Sequence, residues 1–329
     1  MRAFGFKNNE LDGLVEFNAA KPELRANDIL VEIQAVALNP VDTITRKQIK
    51  GDLVEPLIVG YDGYGEIVEL GSNADKFSIG DKVFFAGDHT RSGSYAELMA
   101  VDERTAALAP KNVDAEHAVA IPLTGLTAYE SLVDKIGIDF QADNSDKKVL
   151  IINGSGGVGS IAIQLAKIAG LQVIATASPK NQQWVQELGA DIVVDHHQDL
   201  VAQLNDKKIS EVDDILVFSA VDPHWQEIVK LIKPFGRIVS ITSITSNLND
   251  LKTKAASFEW EYMFAKTMYQ TPNLATQGQY LQEIADWLTK GKLESTVTKV
   301  YQGINVENIK EATELLDAGH MIGKIVIKK

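Results

Sequence analysis

The stretch VLIINGSGGVGSIAIQLAKIAG, residues 149–170, limits what this chain can fold into more than any other. An apolar run reads as a buried strand. Four glycines and a serine then fall within six residues, and apolar side chains follow at helical spacing. The pattern repeats downstream: strands QVIATA, DIVVD, DILVFS and GRIVSI alternate with helices at Gly157–Ala169, Lys180–Leu188, around Leu200, and at His224–Ile232. Strands that alternate with amphipathic helices form βαβ units, because a right-handed crossover needs a helix to return the chain to a parallel neighbour. The expectation is an α/β chain with a doubly wound parallel sheet.

The flanking regions have a different texture. DILVEIQAVAL alternates Ile29, Val31, Ile33 and Ala35 with other side chains, and IVGYDGYGEIVELG, DKVFFAG and SYAELMAV are bounded by turn residues, as in a rolled antiparallel domain. DAEHAVAIPLTGLTAYESLVDKIG begins at Asp114, a candidate helix N-cap, and is interrupted by Pro122, so it reads as two helices meeting at a kink. After residue 270 come a helix (Gln279 to Lys290), a strand (Thr298 to Tyr301), a helix (Val306 to Ala318) and IGKIVI, a short strand expected to complete the first domain's sheet.

Composition removes several classes of function. The net charge of −13, from 45 acidic and 32 basic residues, opposes binding to nucleic acid or anionic lipid, and no basic patch offsets it. No apolar run approaches the roughly 18 residues of a membrane span, and MRAFGFKNNELDG lacks a signal-peptide core, so a cytoplasmic protein is expected. Cysteine is absent, which excludes disulfides, thiol nucleophiles and thiolate metal sites.

Gly154-Ser155-Gly156-Gly157-Val158-Gly159 satisfies G-x-G-x-x-G directly after a strand and at the start of a helix, the context that makes the pattern a dinucleotide fingerprint. Gly154 allows the tight turn, Gly156 and Gly157 let backbone amides approach a pyrophosphate, and Gly159 lets the helix pack on the strand. An acid about 20 residues further on would select NAD. Here the segment reads Ala175-Thr-Ala-Ser178-Pro-Lys180-Asn181, whose hydroxyl, ammonium and amide suit a 2′-phosphate, so NADP(H) is expected. The alternative is that Ser178 caps the next helix and Lys180 is solvated.

These residues, with ALNPVDTITR, GYDGYGEIVELGSNADKFSIGDKVF, AIPLTGLTAYESL, ELGADIVVDHHQDL and the terminal GKIVI, give a chain that resembles the medium-chain dehydrogenase/reductase superfamily, in its zinc-independent, quinone-oxidoreductase-like branch. The resemblance implies a chaperonin-10-like (GroES-like) catalytic domain over residues 1–121, a Rossmann NADP-binding domain over 122–269, and a segment 270–329 returning to the catalytic domain. It further implies a cleft between the domains and hydride transfer with NADPH. In zinc-dependent members a cysteine stands where Asn39 is, a histidine where Tyr61 is, and a second cysteine near Leu123, so all three ligands are replaced. Of the histidines, the adjacent His196 and His197 are expected to point to opposite faces of an extended segment, and no metal site is expected.

Without a Lewis acid the chemistry should suit quinones or α,β-unsaturated carbonyls, whose reduction needs positioning and modest oxyanion stabilisation. By resemblance, Asn39 and Asp42 lie beside the nicotinamide, and Tyr61, Thr124 and Thr127 offer hydroxyls to cofactor or substrate. Tyr61 is the favoured proton donor, or else an aromatic filling the space of the metal; Asp42 is alternatively a helix cap. His196 falls near the 2′-phosphate or is a surface histidine. Ser219 and Ile241 to Ser243 end strands at the ligand-binding edge. Met263 and Phe264 either close over the nicotinamide or form an apolar helix face. Lys324 is near the cofactor or at a solvated sheet edge. A homodimer through the edge strand of the cofactor domain, near GRIVSI and the segment after it, is expected. A cofactor-binding protein with a sensing or structural role and little turnover remains an alternative, and a zinc-dependent alcohol dehydrogenase a third.

Overall fold

The computed structural model describes residues 1–319 and 321–329; His320 lies outside the described residues. The chain divides into two units, residues 1–126 with 264–329, and residues 127–263.

In the first unit, alternation decides the elements. Strands β1 (Arg2–Phe6) and β2 (Leu14–Asn18) form an antiparallel ribbon. The long strand β3 (Asp28–Ala37) then leads into helix α1 (Pro40–Lys47), and β4 (Asp62–Leu70), β5 (Lys82–Phe85), β6 (Leu98–Asp102) and β7 (Ala106–Leu108) follow. Helix α2 (Ala115–Val119) has Asp114 at its N-cap position, although the Asp114 side chain makes no capping bond. Helix α3 (Pro122–Glu130) starts on the proline, whose missing N–H is tolerated in a first turn. The division between the units falls inside α3. Phe4, Phe6, Ile33, Phe85 and Tyr95 are fully buried in this unit, each large side chain contributing about 1.5–3 kcal/mol relative to exposure.

In the second unit, β8 (Lys148–Ile152), α4 (Gly157–Ile168), β9 (Gln172–Thr176), α5 (Gln182–Glu187), β10 (Ile192–Val194), α6 (Leu200–Asp206), β11 (Val212–Val217), α7 (Trp225–Leu231), β12 (Ile232–Ser240) and β13 (Ser257–Trp260) succeed one another. Their order in the sheet is β10-β9-β8-β11-β12-β13, with every pairing parallel. This is the doubly wound arrangement, and the strand order reverses between β8 and β11, where such sheets open a crevice at the carboxyl ends. SFEW, too short for the sequence pattern to mark as helix or strand, is strand β13, so GRIVSI in β12 is an interior strand and β13, in the segment after it, forms the edge. The physical reason is length: four residues with aromatics at alternate positions suit either structure, and pairing with β12 decides it.

The chain then re-enters the first unit through α8 (Ala265–Met268), α9 (Thr276–Thr289), β14 (Val297–Gln302), α10 (Val306–Asp317) and β15 (Lys324–Lys328). Strand β15 pairs antiparallel with β3, Val326 opposite Ala37, so the last strand completes the first sheet as its alternation suggested. Among the described residues that sheet holds seven strands, antiparallel except for β14 beside β15. No helix among them is long and apolar enough to cross a membrane.

Candidate active site

The second unit presents a close-packed glycine turn at the start of a helix. Asn153, after β8, takes a left-handed conformation with φ 68°, which an asparagine tolerates, and it turns the chain into the glycines. Its amide donates to the Phe218 carbonyl at 3.1 Å, stitching the ends of β8 and β11 across the switch point. A Cβ on Gly159 would lie 2.1 Å from the Asn153 carbonyl oxygen, and one on Gly154 2.9 Å from Cβ of Ala175. The glycines therefore bring strand, turn and helix together, and Gly156, at the N-cap of α4, precedes a 12-residue helix opening on Gly157, Val158 and Gly159. The first N–H groups of such a helix have no partner within it and, with the dipole, attract phosphate.

The neighbouring strand ends carry polar groups. Asn181 donates to the Ser155 hydroxyl at 3.3 Å, tying the glycine turn to the segment after β9. Ser178 occupies an N-cap position but makes no side-chain cap bond, and Lys180 is exposed. Two buried polar atoms here, Oδ1 of Asn181 and Nδ1 of His196, have no hydrogen-bond partner among the described residues. Buried polar atoms rarely stay unpaired, so the glycine cradle and these two atoms fit a dinucleotide with polar groups at its adenosine end. Ser219 accepts the Thr242 hydroxyl on its carbonyl at 2.9 Å, and Ile241 and Ser243 follow the end of β12. Met263 is buried within the unit's last segment, and Thr127 is buried in α3.

His196 and His197 correct one expectation. Their ring centroids are 4.1 Å apart rather than on opposite faces, because Asp195 accepts the His197 N–H at 3.0 Å and its Nδ1 at 2.9 Å, which makes a turn of the segment. Asp195, His196 and His197 are the one trio among the described residues whose metal-ligating atoms come within 4.8 Å of one another. Burial, followed by His197, holds the His196 imidazole below its usual pKa.

The first unit carries a second constellation. Asn39, N-cap of α1, donates its side-chain amide to Oδ2 of Asp62 at 2.8 Å, and Asp42 accepts the Asn39 backbone N–H at 2.8 Å. Asp42 is therefore the third residue of the helix, holding the cap rather than being it. Tyr95 donates to the same Asp42 oxygen at 3.3 Å. Lys324 is buried rather than at a solvated sheet edge: its ammonium donates to the Leu38 carbonyl at 2.9 Å, to Oδ1 of Asn39 at 2.5 Å and to Oδ2 of Asp62 at 3.0 Å. An ammonium has three donors, and these three acceptors use them all. Oδ1 of Asp62 accepts the Leu123 N–H at 2.7 Å. The Thr124 hydroxyl, expected to face a ligand, turns back onto the carbonyls of Ala120 and Ile121 at 3.3 and 3.2 Å, because a buried helical threonine satisfies its hydroxyl on the preceding turn.

Zinc does not fit this place. Asn39 and Leu123 are engaged with Asp62, no thiol is present, and the Lys324 ammonium already brings a positive charge to the amide and carboxylate a metal would need. The structure also assembles residues that local sequence could not: Thr45 on α1 lies 3.2 Å from the Tyr61 hydroxyl and 3.2 Å from Nε2 of His89. The rings of Tyr61 and His89 stack with centroids 5.5 Å apart, and Phe264 meets Tyr61 edge-on at 4.9 Å. Tyr61 is 2% exposed, whereas Thr45 and His89 are half-buried. Burial holds the His89 imidazole below its usual pKa, with Asp88 pulling the other way.

Known proteins align with the chain along its length. Residues 25–111 match the alcohol dehydrogenase GroES-like domain, and residues 188–327 match the family described as zinc-binding dehydrogenase. A zinc-type alcohol dehydrogenase-like protein from Staphylococcus aureus is 41% identical over 98% of this chain and 97% of its own. An NADPH-dependent alkenal/one oxidoreductase from Arabidopsis thaliana chloroplasts is 31% identical over 95% of this chain and 75% of its own. The structure of a quinone oxidoreductase from Coxiella burnetii superposes with a TM-score of 0.84 at 28% identity, covering 100% of this chain and 99% of its own.

Proposed function

The chain belongs to the medium-chain dehydrogenase/reductase superfamily of oxidoreductases, and we propose that within it the protein is a metal-free, NADPH-dependent reductase of quinones or α,β-unsaturated carbonyls. The observation that carries this reading is the Lys324–Asp62–Asn39 network, in which a buried ion pair engages Asn39, one of the three positions where the resemblance puts a zinc ligand. The name of the Arabidopsis relative supports both the cofactor and the acceptor class.

When bound, NADPH supplies the hydride. Gly154, Ser155, Gly156, Gly157, Val158 and Gly159, with the start of α4, hold the pyrophosphate through backbone N–H groups. Ser178, Lys180 and His196 hold the 2′-phosphate, and Thr127, Ser219, Ile241, Ser243 and Met263 serve the rest of the cofactor. Tyr61 donates the proton that neutralises the product oxygen. Asn39 and Asp42 act through the α1 cap, fixing the helix that carries Thr45 against Tyr61. A quinone or enone suits such a site because its conjugation accepts hydride without strong carbonyl polarisation, leaving a single oxyanion for a hydroxyl to stabilise. Assembly as a homodimer through the β13 edge, where Trp260 is 53% exposed, belongs to the same reading.

The test is to mix purified protein with NADPH and a panel of quinones and enals and follow loss of reduced-nicotinamide absorbance. Oxidation with members of either class supports the reading. Binding of NADPH without oxidation by any acceptor would leave a cofactor-binding protein of little turnover.

A further inference from the structure

We propose that Thr45 and His89 form a proton relay that returns a proton from solvent to the Tyr61 hydroxyl, with His89 as its outer end. The proposal rests on the reading of Tyr61 as proton donor and adds the route by which that donor is restored.

Tyr61 is nearly closed off from water at 2% exposure, so a phenol that gives its proton to a product oxygen becomes a buried phenolate. A buried anion is strongly disfavoured, and bulk water does not reach it directly. The hydroxyl of Thr45 lies 3.2 Å from the Tyr61 oxygen and 3.2 Å from Nε2 of His89. A threonine hydroxyl is donor and acceptor at once, which is what a relay member must be. Thr45 passes its proton to the phenolate as it takes one from Nε2. His89 starts as imidazolium, becomes neutral as it releases the Nε2 proton, and regains a proton from solvent before the next turnover. Each hydride delivered to the acceptor is thus matched by one solvent proton, and Tyr61, Thr45 and His89 return to their starting states.

The packing keeps the three members in register. Tyr61 and His89 are stacked with 21° between their planes, and Phe264 lies against both, 4.9 Å from the first ring and 5.5 Å from the second. His89 is faced by Thr45 from α1, by Tyr61 from the residue before β4, by Phe264 from the segment before α8, and by Asp88 on its own loop; of these, Asp88 carries a charge, and its Oδ1 accepts from the N–H and hydroxyl of Thr90. Half-buried, His89 is the member of the trio suited to exchange protons with solvent.

The experiment compares Thr45→Val, Thr45→Ser, His89→Gln and His89→Ala in steady-state NADPH oxidation across pH, with an enal or quinone that the wild type reduces. The expected result is a kcat lowered roughly tenfold or more in Thr45→Val and His89→Gln, with KM for the acceptor little changed. Serine should restore most of the rate, and added imidazole should speed His89→Ala. The wild-type kcat should fall as pH rises through the His89 ionisation, below the usual histidine range, and His89→Gln should lack that step. Wild-type rates and pH profiles in both Thr45→Val and His89→Gln would overturn the relay. So would a slow His89→Ala that imidazole does not help, together with a Thr45→Ser as slow as Thr45→Val, since that pattern marks a structural role. A wild type that reduces no acceptor would instead overturn the functional reading, and the relay with it.

Discussion

The ammonium of Lys324, in the last strand, lies 3.0 Å from Oδ2 of Asp62, at the start of β4, and both side chains are buried, at 3% and 0% exposure. The pair joins positions 262 residues apart and also holds Asn39 and, through Asp62, Leu123. Removing one charge of such a pair leaves the other buried without compensation, at a cost of about 3–5 kcal/mol. Lys324→Met should therefore lower stability by that order in urea unfolding, and adding Asp62→Asn should recover part of the loss. Equal stability of Lys324→Met and wild type would refute the assignment of this pair.

Asp42 makes stability depend on pH in a direction opposite to the usual carboxylate. Burial pushes its carboxyl up to about 7, against the Asn39 N–H and the Lys324 charge, which pull it down. The native protein thus keeps a proton at Asp42 that the unfolded chain, with an ordinary value near 3.8, releases earlier. The contribution is fully present below about pH 4 and is lost as pH rises through about 7, on the order of 4 kcal/mol in total. Asp42→Asn keeps an acceptor for the cap and removes the titration, so its stability should fall less than the wild type's between pH 5 and pH 8. Parallel unfolding curves at both pH values would contradict this.

Gly159 has no room for a side chain, since a Cβ would come within 2.1 Å of the Asn153 carbonyl oxygen. Gly159→Ala must push α4 away from the turn, at roughly 1–3 kcal/mol of overpacking, and should abolish measurable NADPH binding in a fluorescence titration while the first unit's sheet persists by circular dichroism. Unchanged affinity would show that the turn is not the pyrophosphate cradle.

Lys180 is exposed at the segment following β9, and its proposed role is a charge-assisted hydrogen bond to the 2′-phosphate. Lys180→Glu should weaken NADPH binding by roughly tenfold or more, in the range of a lost charge-assisted hydrogen bond, and leave NADH binding nearly unchanged. Equal effects on both cofactors, or none, would remove Lys180 from the 2′-phosphate site.

The glycine turn was legible because its message is local: a strand, small residues at fixed offsets, and a helix start identify a cradle without any distant partner. The antiparallel sheet was legible through its alternation, including the final strand. The partners of Lys324 are not legible locally, because a lysine beside a glycine at a strand start reads as solvated, and nothing near it announces Asp62 and Asn39 at the far end of the chain. Thr45 and His89 carry no local signal, since the contact of α1 with the loop around His89 is a product of tertiary packing. Strand periodicity puts His196 and His197 on opposite faces, and it fails once Asp195 turns the backbone. Strand β13 was missed because four residues are too few to show a period.

Whether the protein reduces its acceptors without metal is decided by one measurement on one preparation: NADPH oxidation with quinones and enals before and after exhaustive treatment with a strong zinc chelator, with metal content determined in parallel. The expected result is turnover with at least one acceptor class, the same rate after chelation, and no stoichiometric zinc. A rate that vanishes on chelation and returns with added zinc, matched by one metal per chain, would contradict it.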